Sequence, residues 1–132
     1  MRGVLVEEYT DFTNIKLQEC PVPILYPHGV KIKIQASGVS FATSLVVAGK
    51  YQRKPPLPFI PGTECAGYVL EIGDNVEGIN IGDRVCAVLD WGGQAEEVVA
   101  HAANVFHIPD TLDFHKAICF TNSYLTSYAA LV

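Results

Sequence analysis

Eleven glycines and eight prolines punctuate this chain of 132 residues, and their placement limits what it can fold into. They cut the first hundred positions into short runs of alternating character. The clearest is Lys31-Ile32-Lys33-Ile34-Gln35-Ala36, which puts Ile32, Ile34 and Ala36 on one face. Val4 to Glu7, Gly67 to Ile72, Arg84 to Leu89, Gln94 to Ala100 and Asn104 to Ile108 are the other expected strands. Turns such as Gly73-Asp74-Asn75, Gly82-Asp83 and Gly92-Gly93 bound them. Short strands at this spacing predict a mainly β fold, either a barrel or a sandwich.

Two segments carry helical signals. Ser40 to Ala48 is short and is closed by Gly49. A longer helix is expected from about residue 113, with Asp113 as its cap after Pro109. Its apolar residues face more than one way, which predicts burial on several sides. The chain stops at Val132 inside that helix, without a cap or a charged tail. It is therefore expected to be a piece of a longer protein, with residues 1–132 forming one domain. Left uncovered, Tyr124 to Val132 should self-associate or rearrange, so a homo-oligomer is expected.

The net charge is −5 and the few basic residues are scattered, apart from Arg53-Lys54, which argues against nucleic acid. No apolar run reaches the length of a membrane span. The amino-terminal stretch has no secretory character. Cys20, Cys65, Cys86 and Cys119 are widely spaced with no CxxC, and read as reduced, mostly core thiols in the cytoplasm.

The stretch PFIPGTECAG, Pro58 to Gly67, raises the question of a metal, since Glu64 and Cys65 are possible ligands. A catalytic zinc takes three side chains of His, Cys or acidic type. His28, His101, His107, His115 and the four cysteines are nowhere paired at ligand spacing. A glycine-rich dinucleotide loop, a P-loop and a nucleophile elbow are all missing from the chain.

One ordered set of segments carries more information. Ile34-Gln35-Ala36-Ser37-Gly38-Val39-Ser40 is followed by Gly49-Lys50-Tyr51, then Pro55-Pro56-Leu57-Pro58-Phe59-Ile60-Pro61-Gly62. Glu64, Ala66-Gly67, Gly73, Gly82-Asp83-Arg84-Val85 and Gly92-Gly93-Gln94-Ala95-Glu96 come next. Together they resemble the N-terminal GroES-like domain of medium-chain dehydrogenases/reductases. Within that family the zinc-free quinone oxidoreductase branch, which includes zeta-crystallin and the vesicle amine transport protein group, is most similar. The resemblance covers essentially the whole chain.

It implies a GroES-like, partly open β-barrel with the short helix near residues 40–48 and the helix from about 113 leading into a Rossmann cofactor domain. NADP would be held mainly by that further domain, so this chain alone is expected to be inactive. Zinc-dependent members carry Cys and His where this chain has Ser40 and Thr63, so no zinc is expected. Tyr51 matches a cleft tyrosine able to donate a hydrogen bond, and is the expected catalytic residue. Ser40 stands where Asn is common, Thr43 where Asp is common, and Thr126 matches a threonine facing the nicotinamide; these three are the expected cofactor contacts. Trp91 and Glu64 are expected at the substrate.

Without a metal, an alcohol has no easy route to its alkoxide. A quinone or α,β-unsaturated carbonyl brings its own electron sink and needs only a donor for the developing oxyanion. The expected activity is hydride transfer from NADPH to such an acceptor. A non-catalytic interaction protein that keeps the scaffold is the other reading, because Ser40 and Thr43 narrow the polar capacity of the site.

Overall fold

The computed structural model describes residues 1–132. Seven strands form: β1 (Arg2–Val4), β2 (Leu17–Glu19), β3 (Gly29–Ser37), β4 (Glu64–Ile72), β5 (Arg84–Val88), β6 (Glu97–His101) and β7 (Val105–His107). Five make one antiparallel sheet in the order β6-β3-β4-β5-β7, and β1 and β2 pair as a separate ribbon. Bridges Gly3↔Ala95 and Val6↔Phe59 tie the ribbon to the main body. The mainly β, GroES-like fold is as the sequence implied.

Alternation along β3 sets the core. Val30 and Ile32 are fully buried and pack with Val69, Val85, Val98 and Ala100. The β3–β4 register shifts between Lys31 and Ile32 and again between Ile34 and Ala36. Each irregularity bends the pair, and the sheet curls around the cluster. Gly67 sits against the Lys33 backbone so closely that a Cβ would overlap the Lys33 carbonyl. That contact explains a glycine in the centre of a buried strand.

Some boundaries differ from the sequence reading. The first strand is Arg2–Val4 rather than Val4 to Glu7, because its partner is β2, through Arg2↔Glu19 and Val4↔Leu17. All three β2 residues are exposed, so no alternation announced that strand. Gln94 to Glu96 lie outside β6, since the Gln94 amide bonds to Pro61 O and the Glu96 amide to Arg2 O.

Helix α1 spans Phe41–Val47, and Gly49 closes it at φ +67°. Asp113 caps α2 (Phe114–Cys119), its side chain accepting from the Lys116 amide at 2.8 Å. A π-turn, Phe120–Tyr124, joins α2 to α3 (Leu125–Leu131). Arg84 fastens the start of α2, donating to Pro109 O and Leu112 O and lying 4.5 Å over the Phe114 ring. The burial expected all round the C-terminal helix is confined to Ala117 and Thr121. Leu125, Tyr128 and Leu131 are exposed on an ordered helix, because no other element packs over α3.

Replacing Gly67 with Ala should destabilise the chain by about 1–3 kcal/mol, the usual cost of overpacking against unyielding backbone. Urea denaturation checks this; an unchanged midpoint would mean the β3–β4 spacing can relax.

Candidate active site

The first turn of α1 and the Trp91 loop bring together three of the candidate residues, Ser40, Thr43 and Trp91, whereas Tyr51, Glu64 and Thr126 line neither of the spaces these share. Ser40 is the N-cap of α1 but makes no side-chain cap bond. Its Oγ instead lies 3.4 Å from Thr43 Oγ1, while the Thr43 amide donates to Ser40 O at 3.1 Å. At that length the hydroxyl contact is weak, so both groups keep hydrogen-bonding capacity for a further partner. Thr43 is buried and lines two spaces.

The larger is a groove of about 730 Å³ with walls from Val4, Phe12, Ile15, Val39, Phe41 and Val47, and Ser40 at its edge. Its size falls within the range of small-molecule sites. The other is a small cavity of about 20 Å³, with Thr43, Pro61, Gly62, Thr63, Asp90 and Trp91 around it. Thr43 and Trp91 are thus brought together, as two of the expected site residues. A separate apolar cavity of about 490 Å³ lies under the C-terminal helix, between Phe106, Ile108, Leu112, Phe120 and Leu125. It shares no wall with the groove.

Tyr51 is half-buried in the bend after α1. Tyr9 shapes that bend: its ring packs on Gly49, its hydroxyl donates to Pro55 O at 3.0 Å, and Lys54 lies 5.9 Å over it. Arg53 and Asp90 form an ion pair at 2.6 Å, tying the Tyr51 loop to the Trp91 loop. Neither Tyr9 nor this pair stood out in the sequence, because each acts through a partner about 40 residues away.

Glu64 opens β4, and its carboxyl turns toward Gly38 and Thr121. Thr121 Oγ1 donates to Glu64 Oε2 at 3.1 Å. Burial raises the Glu64 pKa above the ordinary carboxylate value, and the Thr121 hydrogen bond offsets part of that. Cys65 beside it is fully buried, and desolvation pushes its thiol up to about 12. Thr126 lies exposed on α3, apart from the Ser40–Thr43 pair. Back-bonding along that helix is made by its neighbour, Ser127 Oγ to Ser123 O at 2.8 Å.

No three His, Cys, Asp or Glu side chains converge as a metal-holding group. The residues at the two inner-site positions, Ser40 and Thr63, offer neutral hydroxyls, which do not fit zinc. Two hydroxyls beside an apolar groove do fit an uncharged planar ring that carries a carbonyl or amide. No helix is long and apolar enough to cross a membrane, and the four cysteines are free.

A curled five-stranded antiparallel sheet with a short helix at its mouth and a separate C-terminal helix defines the architecture of a GroES-like domain. Residues 26–110 match the alcohol dehydrogenase GroES-like domain, and the chain belongs to that family. It is 38% identical over 134 residues to the quinone oxidoreductase of Lama guanicoe, covering all of this chain and 41% of that protein. The crystal structure of the human synaptic vesicle membrane protein VAT-1 homolog-like protein superposes with a TM-score of 0.94 at 33% identity, over 99% of this chain and 42% of that one. The quinone oxidoreductase of Thermus thermophilus, solved also as its complex with NADPH, gives 0.83 at 30% identity, over 99% and 40%. The chain thus spans about two-fifths of the length of these relatives.

The raised Glu64 pKa means that the folded state binds this proton more tightly than the unfolded state. Stability owed to it is full below the ordinary value of 4.5 and falls as pH rises through the raised one. The stability difference between the parent and Glu64→Gln, measured by urea denaturation, should therefore shift against the parent across that window. A difference that stays flat would show Glu64 to be solvated like a surface carboxylate.

Proposed function

We propose that this chain is the substrate-side domain of an NADPH-dependent quinone or enone reductase that works without zinc, in the cytoplasm. The observation that carries the reading is the Ser40–Thr43 hydroxyl pair at the edge of the apolar groove. Zinc-dependent members hold a Lewis acid in this region; here the polar residues that line the groove, Ser40, Thr43, Ser44 and Gln94, are all neutral donors and acceptors. The likeness to quinone oxidoreductases, one of them solved with NADPH, supports the same activity.

NADPH, when bound, supplies a hydride. The phosphates of that cofactor have no glycine-rich cradle in this chain, so the reading includes a second, cofactor-binding domain. The part of this chain is to bind and orient the acceptor and to offer it a hydrogen bond. Ser40 and Thr43 offer hydroxyls to the nicotinamide amide or the acceptor carbonyl. Apolar walls exclude water and accept an uncharged ring. Holding acceptor and cofactor face to face can contribute as much as about 7–11 kcal/mol. Tyr51 donates a hydrogen bond to the developing oxyanion, and Trp91, which shares the small cavity with Thr43, meets the acceptor from that side of the helix. Thr126 meets the cofactor from α3, whose exposed apolar residues make contacts with a further domain or copy.

The likeness to the VAT-1 homolog-like protein, with Ser40 and Thr43 in place of Asn and Asp, favours one other reading, a scaffold that binds a partner without turnover.

In the full-length protein, NADPH oxidation in the presence of small quinones should be measurable, and Tyr51→Phe should slow it about tenfold or more, some 1.4 kcal/mol of transition-state stabilisation. NADPH binding with no turnover on any quinone or enone would replace the reductase reading with the scaffold one. The 132-residue chain alone should neither bind NADPH tightly nor turn over; calorimetric titration showing tight binding would mean that this half carries the cofactor.

A further inference from the structure

The Glu64 carboxyl lies where three segments meet. A side chain at Gly38 would overlap it, so the missing Cβ gives the carboxyl its seat. Its Oε2 is 3.1 Å from Thr121 Oγ1, which is also 3.1 Å from the Ile118 carbonyl. Thr121 is 8% exposed and belongs to the π-turn. The backbone of Glu64 is held as well, its carbonyl accepting from Ser37 Oγ at 3.1 Å. No lysine or arginine pairs with this carboxyl; the ion pairs of the chain lie elsewhere.

We propose that Glu64 is a positioning residue rather than a substrate contact: seated against Gly38 and bonded to Thr121, its carboxyl couples the Ser40 segment to the π-turn of the C-terminal helix. The coupling stands on contacts within this chain. That it orients Ser40 for a cofactor rests on the reductase reading.

A hydroxyl has one proton, and Thr121 has two acceptors for it. With Glu64 ionised, the proton goes to the carboxylate in a charge-assisted bond. With Glu64 protonated, the carboxyl donates to Thr121 Oγ1, and the threonine proton turns to the Ile118 carbonyl. The link survives in both states with its direction reversed. The Cys65 thiol, next along the strand, is the other titratable group beside the carboxyl, and it stays neutral with its pKa near 12. Glutamine at this position keeps both a donor and an acceptor, so it preserves the link. Single π-turns inside α-helices are often found at functional sites, and this one is pinned at its second residue.

Hydrogen–deuterium exchange on the full-length protein tests the coupling. Thr121→Val should raise exchange about tenfold or more in residues 118–125 and also in residues 38–43, far away in sequence. Gly38→Ala pushes the carboxyl off its seat and should loosen residues 118–125 in turn. Glu64→Gln should leave both segments close to the parent, and β6 should be unchanged in every variant. If each substitution loosens only its own segment, or if Glu64→Gln loosens both as much as Thr121→Val, the proposal is overturned. Should Gly38→Ala fail to fold, Thr121→Val decides alone, since it exchanges a hydroxyl for a methyl of similar size. NADPH oxidation assayed on the same parent sample keeps the two ideas apart: no turnover would end the reductase reading and leave the exchange result standing.

Discussion

The backbone pairing of β3 with β4 is the constraint on which the site depends. These are the two longest strands, nine residues each, and they lie side by side near the centre of the sheet. Their last paired positions, Ser37↔Cys65, fix what happens at the open end. β3 leaves the sheet there and delivers Gly38, Ser40 and α1. β4 enters there directly from Gly62 and Thr63. A shift of one residue would turn Ile32 and Val69 out of the core, so burial holds the register against slippage. Gly67 is needed because the same ladder brings two backbones too close for a side chain. The geometry of the hydroxyl pair is thus set by packing several residues away from it.

How much of this was legible in the sequence follows from the range of each interaction. Strand β3, the closing Gly49 and the Asp113 cap were readable, because each is a local pattern or a local bond. The ribbon strand β2 was not, because all three of its residues are exposed and only its distant partner defines it. Ser40, Thr43, Trp91 and Thr63 could be placed in one region only through the order of segments that marks the family. Thr121 carried no signal at all. A threonine in an apolar helix is unremarkable until the fold sets a carboxylate from a strand 57 positions earlier beside it.

The electrostatics of the groove narrow the chemistry further. Its walls come mainly from apolar side chains, and the polar residues that line it, Ser40, Thr43, Ser44 and Gln94, are all uncharged. Arg53, the cation that reaches the Trp91 loop, is occupied by Asp90. A carboxylate or phosphate ligand would lose its hydration here and find no charge in return, which is costly in a low-dielectric setting. A neutral ring bearing a carbonyl loses little by comparison, and its oxygen needs only a donor. Hydroxyls supply that without prejudging where charge develops, so in the proposed reductase discrimination among acceptors falls to the shape of the apolar walls.

Glu64 then takes on a meaning different from that of a ligand. In a chain whose inner-site positions hold Ser and Thr, a half-buried carboxylate without a cation would be an unexplained cost. Its seat beneath Gly38 and its bond to Thr121 explain why the cost is tolerated: the same group satisfies a buried hydroxyl and braces the loop that precedes Ser40. Apolar contact alone could fill that space, but it would not fix the rotation of the π-turn, since dispersion is not directional and a hydrogen bond is. On the proposed coupling, this directional bond holds the rotation of the π-turn, while Arg84 fastens the start of α2 through Pro109 O and Leu112 O.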